Sequence, residues 1–503
     1  MTKAVARAAR SRRASSLRNI TDATRARFIV AACAIVTMIF SAFAALGSPD
    51  LLITVGALFF FAVLAFVLPL PAVALTLAAL IPFQIYFPFA GSLSMRGAFV
   101  FVIAAAVRLL FQRIAARNWW RWPTWVISAA LFMLAALIAA FTALNRYTAL
   151  KGMYDWLPVF ATAFVVGEIV HSERWLRASI IIMILGGLAQ AALGLLEAML
   201  GLNRVVDTLQ SGIAPIFFHP NLLHERLVDF SFNWVLDGRV VPFGTFINGI
   251  DYAIFVAAIL SLTLAILLGA RRYVESFVLS IAVALLGVAL IQTFKGSGLI
   301  ALAAGIVVIT LFYLPRLSRR TQLTLALFAL AAVVSVLILS DSLAQRLFFL
   351  VERELGLRTE TGRTAIWAHL IAQLPQRPLF GFGLNNAVAL VPVLPSMNGG
   401  AFVFNLPAAE SAYVAALIET GIVGFGALSS FIVVVLVQAY QNAKSLAPIQ
   451  VGILACLIAI LAGNLTVAGL TTDQNGMLLG ALIGLTFAIP NFIRESRESS
   501  LIE

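Results

Sequence analysis

Apolar runs of about 20 residues follow one another along this chain, broken by short basic segments, and nothing else constrains the fold as much. A helix needs about 20 mostly apolar residues to cross the hydrocarbon core of a bilayer. Inside lipid, only helices and closed barrels satisfy their own backbone groups. The runs here are continuous rather than alternating, which excludes an outer-membrane barrel. Composition points the same way: 62% of the 503 residues are apolar and 11% charged, against about 45–50% and about 25% in soluble domains. No core of this chain length hides such an excess. A soluble enzyme, a disordered scaffold and a disulfide-rich secreted domain are excluded. The sequence specifies an all-α polytopic membrane protein.

The same ruler gives about fourteen spans, with 12 as the lower bound, centred near residues 37, 60, 79, 105, 133, 163, 188, 260, 282, 306, 330, 425, 458 and 483. Pro69, Pro71, Pro82 and Pro88 make 67–111 the stretch where the count is hardest to fix. Lys and Arg orient the spans, because cytoplasmic loops carry the basic excess. Lys3, Arg7, Arg10, Arg12, Arg13, Arg18, Arg25 and Arg27 mark residues 1–27 as a cytoplasmic tail. Arg113/Arg117/Arg121, Arg174/Arg177, Arg271/Arg272, Arg316/Arg319/Arg320, Lys444 and Arg494/Arg497 then all fall on that side. The expected order is a seven-span bundle over 28–200, a periplasmic loop over 201–249 and spans 8–11 over 250–340. A long, partly helical periplasmic loop over 341–409 precedes spans 12–14 over 410–493 and a cytoplasmic tail at 494–503. Two loops of about 50 and about 70 residues exceed what a connection needs, so chemistry is expected there, at the outer face. The first run, from about Phe28, is too long for a signal-peptide core and reads as a retained signal anchor.

The net charge of +12 lies in the tail and the short loops. It therefore speaks for anionic lipid rather than nucleic acid, for which no basic, aromatic-bearing soluble domain exists. Cys33 and Cys456 sit inside apolar runs without CxxC spacing, and His171, His219, His224 and His369 lack metal-ligand spacing. No disulfide framework and no metal site are expected.

Ionisable groups bordering spans are the functional candidates, because membrane depth makes them costly. Glu410 opens a span as Glu410-Ser411-Ala-Tyr413, followed by Glu419, Gly421 and Gly424. It reads either as a helix-end carboxylate held by the macrodipole or as a general base within reach of an acceptor hydroxyl. Arg363 lies in Gly362-Arg363-x-x-x-Trp367, upstream of Arg377-Pro378-Leu-Phe-Gly381-Phe-Gly383. Thr361 is placed to cap that segment and Pro375 to end it. Arg363 and Trp367, four apart, share a helix face; the pair suits a bidentate phosphate grip, with an interfacial anchor as the somewhat less favoured reading. Arg239-x-x-x-x-Gly244-Thr-Phe246-x-Asn248-Gly-x-Asp251-Tyr252 runs into a span, and Lys295-Gly296-Ser297-Gly298 is a polar turn between two spans. Lys295 is either a second phosphate cation or a snorkelling residue, the latter favoured.

These segments, in this order, resemble the O-antigen ligase / Wzy-type polysaccharide polymerase superfamily, from about Arg239 to about Gly424. The family pattern of a Gly-Arg-x-x-x-Trp helix followed by Pro-x-x-Gly-x-Gly matches Gly362, Arg363, Trp367, Pro378, Gly381 and Gly383. Its ligases carry His-[Asn/Ser/Gln]-x9-Gly-x-x-Gly; this chain keeps the spacing as Glu410-Ser411, nine residues, Gly421-x-x-Gly424, with glutamate replacing histidine. Family members also tend to carry an arginine where Gly298 stands.

The resemblance implies a GT-C-like, inner-membrane, metal- and cofactor-independent glycosyltransferase with both termini cytoplasmic and its site periplasmic. The implied donor is an undecaprenyl-diphosphate-linked oligosaccharide and the acceptor a sugar hydroxyl of another glycan. A chain-length-determining membrane protein is a further implied partner; nucleic acid is not one. Glu410 and Arg363 would be catalytic, with Lys295, Arg239, Trp367, Ser411, Tyr413 and Arg377 binding diphosphate or glycan. The glutamate tilts the reading toward polymerisation over ligation to lipid A-core. A lipid-linked oligosaccharide transporter is the remote alternative, disfavoured because the charges border spans instead of lining them.

Overall fold

The computed structural model describes residues 49–89, 93–116, 122–200, 204–205, 235–236, 239–246, 248–316, 363–391, 410–445 and 447–500. Thirteen α-helices run through them: α1 (Pro49–Val67), α2 (Leu70–Leu80), α3 (Gly97–Ala115), α4 (Thr124–Phe141), α5 (Arg146–Ile169), α6 (Glu173–Leu200), α7 (Gly249–Gly269), α8 (Tyr273–Gln292), α9 (Gly296–Tyr313), α10 (Arg363–Gln373), α11 (Ala412–Ala443), α12 (Pro448–Gly463) and α13 (Asp473–Ser500). Seven of them, α3, α4, α6, α7, α8, α9 and α11, are long and apolar enough to cross a membrane. Of the fourteen expected centres, those near 37 and 330 lie outside the described residues, and α12 and α2 are apolar but short.

Local sequence explains where the helices begin. Asn145 accepts from Thr148 N–H at 3.2 Å and heads α5, while Asn248 accepts from Ile250 and Asp251 N–H at 2.9 and 2.8 Å and heads α7. Pro448 starts α12 from its first turn, where a missing N–H costs nothing. The proline-rich stretch 67–111 departs from a plain helical reading. Pro69 separates α1 from an eleven-residue α2, and the chain then turns into a short antiparallel hairpin, β1 (Tyr86–Phe89) with β2 (Leu93–Arg96). A second hairpin pairs β3 (Val235–Leu236) with β4 (Arg239–Val240). Apart from these four short strands the described fold is helical.

The helices alternate in direction. α7 and α12 form the centre, packed on each other and on α9, with α7 buried on nearly every side from Asp251 to Thr263. α13 lies along α5, where Gly480 and Gly484 approach the carbonyls of Val159 and Ala163. Small residues four apart let two membrane helices come this close. α8 is peripheral: Phe277, Val278 and Ile281 are each more than half exposed, as a lipid-facing helix requires.

Because of the alternation, the connections sort to two ends. Arg113, paired with Glu168 and stacked on Trp122, shares one end with Arg174, Arg177, Arg271, Arg272 and Lys444. The opposite end collects the 81–85 segment, the 241–248 segment and the turns before α5, α9, α11 and α13. Hydrogen bonds tie them together, such as Gln190 to Pro82 and Thr245, Gln474 to Thr245, and Thr466 to Ser297.

Candidate functional site

α11 is not one continuous helix. At Gly421 the backbone turns to φ 65°, ψ −171°, and the break frees groups that a regular helix would pair internally. The segment after α10 fills those vacancies. Phe382 N–H donates to Ile418 O (3.0 Å) and Gly383 N–H to Glu419 O (2.8 Å). In return, Ile422 and Val423 N–H donate to Pro378 O (2.9 Å) and Leu379 O (3.1 Å). The approach is so close that a Cβ on Gly421 would collide with Leu379 and one on Gly381 with Ile418. Non-helical backbone at membrane depth is tolerated when protein satisfies it in this way. The glycines of Pro-x-x-Gly-x-Gly and of Gly421-x-x-Gly424 are thus two halves of one interlock.

Glu419 strengthens it from the side. Its buried Oε1 accepts Ala387 N–H at 3.2 Å, so a carboxylate on α11 anchors the far end of the same segment. The other face of the segment grips the α4–α5 turn. The Arg377 guanidinium donates to Thr142 O and lies 5.2 Å from the Phe382 ring centroid. Leu144 N–H donates to Phe382 O (3.2 Å), Asn386 exchanges hydrogen bonds with Asn145, and Asn385 donates to Asp155 at 3.1 Å. A small apolar cluster of Ile366, Leu370, Phe382, Ala387, Ala415 and Ile418 packs α10 across the opening turns of α11.

The predicted site residues distribute over this end as follows. Arg363 is the first residue of α10 and Arg239 lies in β4; both side chains fall outside the described set. Trp367 is half-buried on α10. Ser411, not Glu410, is the N-cap of α11, its Oγ accepting Val414 N–H at 3.5 Å. Glu410 stands just before the cap at φ 43°, half-buried. A left-handed glutamate is sparsely populated and holds only where surrounding contacts impose it. The Tyr413 hydroxyl donates to Leu461 O at 2.8 Å, joining α11 to α12. The Lys295 stem runs past Gly249, its Cε 3.5 Å from where a Cβ would stand, so it lies over the start of α7. The interlock therefore brings the helix bearing Arg363 onto the helix that follows Glu410, while Lys295 lies over the start of α7.

Several polar groups at this end carry no motif. Glu197, buried in α6, accepts Phe243 and Gly244 N–H at 3.0 and 2.9 Å. Gln190, seven residues earlier on the same face, accepts Thr245 N–H and donates to its hydroxyl. Together they dock the Gly244-Thr-Phe segment, in which Gly244 takes φ 56°. Arg96 pairs with Asp473 at 2.5 Å, joining β2 to the start of α13. The sequence signal was present: a polar side chain inside an apolar run must find its partner on a loop. Among the described residues, no three His, Cys, Asp or Glu side chains come together in a way that could hold a metal ion.

This arrangement defines a multi-pass membrane protein that gathers its polar chemistry at one end of the bundle. Residues 281–429 match the family model described as O-antigen ligase, which supports the resemblance to the O-antigen ligase/Wzy superfamily over that stretch. The matched stretch runs from the middle of α8 through α10 and the interlock to just beyond the break in α11. No curated protein matches the chain at a significant level.

Proposed function

We propose that this protein is an inner-membrane glycosyltransferase that polymerises undecaprenyl-diphosphate-linked oligosaccharide units at the periplasmic face. The supporting observation is the interlock: it joins the Arg363 helix, the Pro378–Gly383 segment and the Glu410 helix into one rigid body, all within the family match. The acceptor hydroxyl oxygen attacks the anomeric carbon as the bond to the diphosphate breaks. Glu410 takes the hydroxyl proton, and the diphosphate leaves with the electron pair of the broken bond. A diphosphate is already a good leaving group, so cations facing the growing charge supply most of what is needed. Arg363 fills that role, with Lys295 and Arg239 beside it, while Trp367, Ser411, Tyr413 and Arg377 shape the glycan path and its walls. A single displacement inverts the anomeric centre, in a GT-C-like fold of about fourteen spans with both termini cytoplasmic. The reaction calls for neither metal nor cofactor, and a chain-length-determining membrane protein is its natural partner.

Ligation of finished glycan to lipid A-core is the second reading, favoured by the description of the matching family. One assay separates the two. Purified protein in nanodiscs receives a synthetic polyprenyl-diphosphate oligosaccharide alone, beside Arg363→Ala and Glu410→Ala. A ladder of multiples that both variants abolish is the expected result. Transfer only after lipid A-core is added makes it a ligase, and lipid translocation without any transfer rejects the enzyme reading.

A further inference from the structure

Of residues 381–387 in the interlocked segment, Asn385 alone is exposed. Its neighbour Asn386 is buried and spends its whole amide on structure. Asn386 Oδ1 accepts Asn145 N–H at 3.0 Å, and its Nδ2 donates to Asn145 O at 3.2 Å and Leu384 O at 3.0 Å. Asn385 is used differently. Its Nδ2 donates to Asp155 Oδ2 on α5 at 3.1 Å, and its Oδ1 takes no hydrogen bond among the described residues. A carboxylate only accepts, so the amide nitrogen has to face Asp155 and the amide oxygen is turned outward.

The residue is clamped from both sides. Its backbone sits at φ 58°, a left-handed conformation that a residue other than glycine keeps only where its contacts impose it. Glu419 on α11 takes the main-chain N–H of Asn385 together with that of Ala387. On the opposite side, a Cβ on Gly152 would stand 2.6 Å from Leu384 Cβ and 3.1 Å from Asn385 Cγ, so glycine lets the segment lie against α5 within reach of Asp155. The turn by itself would be better served by glycine at 385, which takes a positive φ without strain. A carboxamide there is worth keeping for what it offers outward. The charges that act on Asp155 are those of Arg96, Asp473 and Lys151, two carboxylates against two cations in all. Such a neighbourhood has no net charge to draw in an ion. Fixed donors and acceptors without net charge suit a neutral, hydroxyl-rich ligand, and a side chain already oriented binds without first losing rotamer freedom.

We propose that Asn385 is a saccharide-contacting residue, its amide oxygen accepting a sugar hydroxyl, and that Asp155 is the positioning residue that turns the amide outward. The identity of the ligand rests on the glycosyltransferase reading above. Asn385 lies within the family match and Asp155 outside it, on α5. The contact discriminates among glycans and leaves the diphosphate to the cations. A site that hydrogen-bonds a particular hydroxyl disfavours an analogue lacking it.

The test titrates the full-length protein in detergent with a synthetic polyprenyl-diphosphate oligosaccharide and, separately, with polyprenyl diphosphate bearing no sugar. Native protein is expected to bind the first more tightly. Asn385→Gly keeps the positive φ and the N–H to Glu419 and removes only the carboxamide. It is expected to raise the oligosaccharide Kd about three- to tenfold, the worth of one hydrogen bond, and to leave the Kd of the sugar-free lipid unchanged. Asp155→Ala is expected to give the same loss, with none further when the two changes are combined. Asp155→Asn, whose amide oxygen still accepts Asn385 Nδ2, restores native binding. Should Asp155→Ala fail to fold, Asn385→Gly decides alone. An oligosaccharide Kd unchanged in Asn385→Gly overturns the proposal, and so does an equal loss with the sugar-free lipid. A further loss in the double variant overturns the positioning role of Asp155. If native protein binds neither lipid, the glycosyltransferase reading itself fails, an outcome distinct from all of these.

Discussion

Glu197 and Glu419 are carboxylates in the middle of apolar runs, and neither is free to act on substrate, because each already holds loop N–H groups. Their worth is in the geometry they impose. Glu197→Ala strands the buried N–H groups of Phe243 and Gly244, each costing about 1–3 kcal/mol when left unpaired. A clear drop in Tm is therefore expected, largely restored in Glu197→Gln, whose amide oxygen still accepts; thermal unfolding in detergent measures both. Glu410 is the proposed base. Ser411 already caps α11, so Glu410→Gln is expected to leave Tm nearly unchanged while lowering kcat by about two orders of magnitude or more, the usual range for losing a general base. A Tm loss as large as that of Glu197→Ala would show the Glu410 carboxylate to be structural instead.

At the scale of the element, the break in α11 is the decisive feature. Gly421 and Gly426 lie five residues apart on one helix, and their glycines are there for different reasons. A Cβ on Gly426 meets nothing within 4 Å, whereas one on Gly421 is forced into the backbone of Leu379 at a positive φ. Gly426→Ala is thus expected to be neutral or to stabilise by up to about 1 kcal/mol, through helix propensity alone. Gly421→Ala is expected to unseat the 378–391 segment and to abolish activity. Limited proteolysis of that segment, compared between the two variants, checks the mechanism. Equal protection in both would mean that the interlock tolerates a side chain at Gly421. Of this, the spacing Gly421-x-x-Gly424 was legible from the chain. The partner was not: nothing local in Gly421 says that Pro378 and Leu379 supply its acceptors, since the two stretches are separated by about 40 residues of unrelated pattern.

For the whole molecule, alternation of helix direction puts the basic connections at one end and the interlocked polar segments at the other. Tyr147 and Tyr273 are both well exposed at opposite ends. Tyr147→Cys and Tyr273→Cys are therefore expected to react with a membrane-impermeant thiol reagent from opposite sides of sealed vesicles. With the positive-inside assignment, the residue-147 site labels from outside in intact spheroplasts. Labelling of both from one side would break the alternation on which the proposed periplasmic site rests. The outward faces of α4 and α8, with Ile127, Leu131, Phe277 and Ile281 more than half exposed, need lipid around them for the same reason.

The sequence by itself determined the solvent and the alternation, and it carried the resemblance that the family match over residues 281–429 supports. Apolar runs of bilayer length leave no other way to satisfy a backbone, and basic residues between them fix which ends share a side. Through their spacing it also singled out Arg363, Trp367 and Glu410 as candidates. Tertiary structure alone decided what the polar groups inside those runs were for. Arg377 is turned onto Thr142 and Phe382, Tyr413 onto Leu461, and the Gly244-Thr-Phe segment onto Glu197 and Gln190. Satisfying a buried donor or acceptor is a non-local requirement, met by whichever loop the packing brings near, and no periodicity along the chain records that choice.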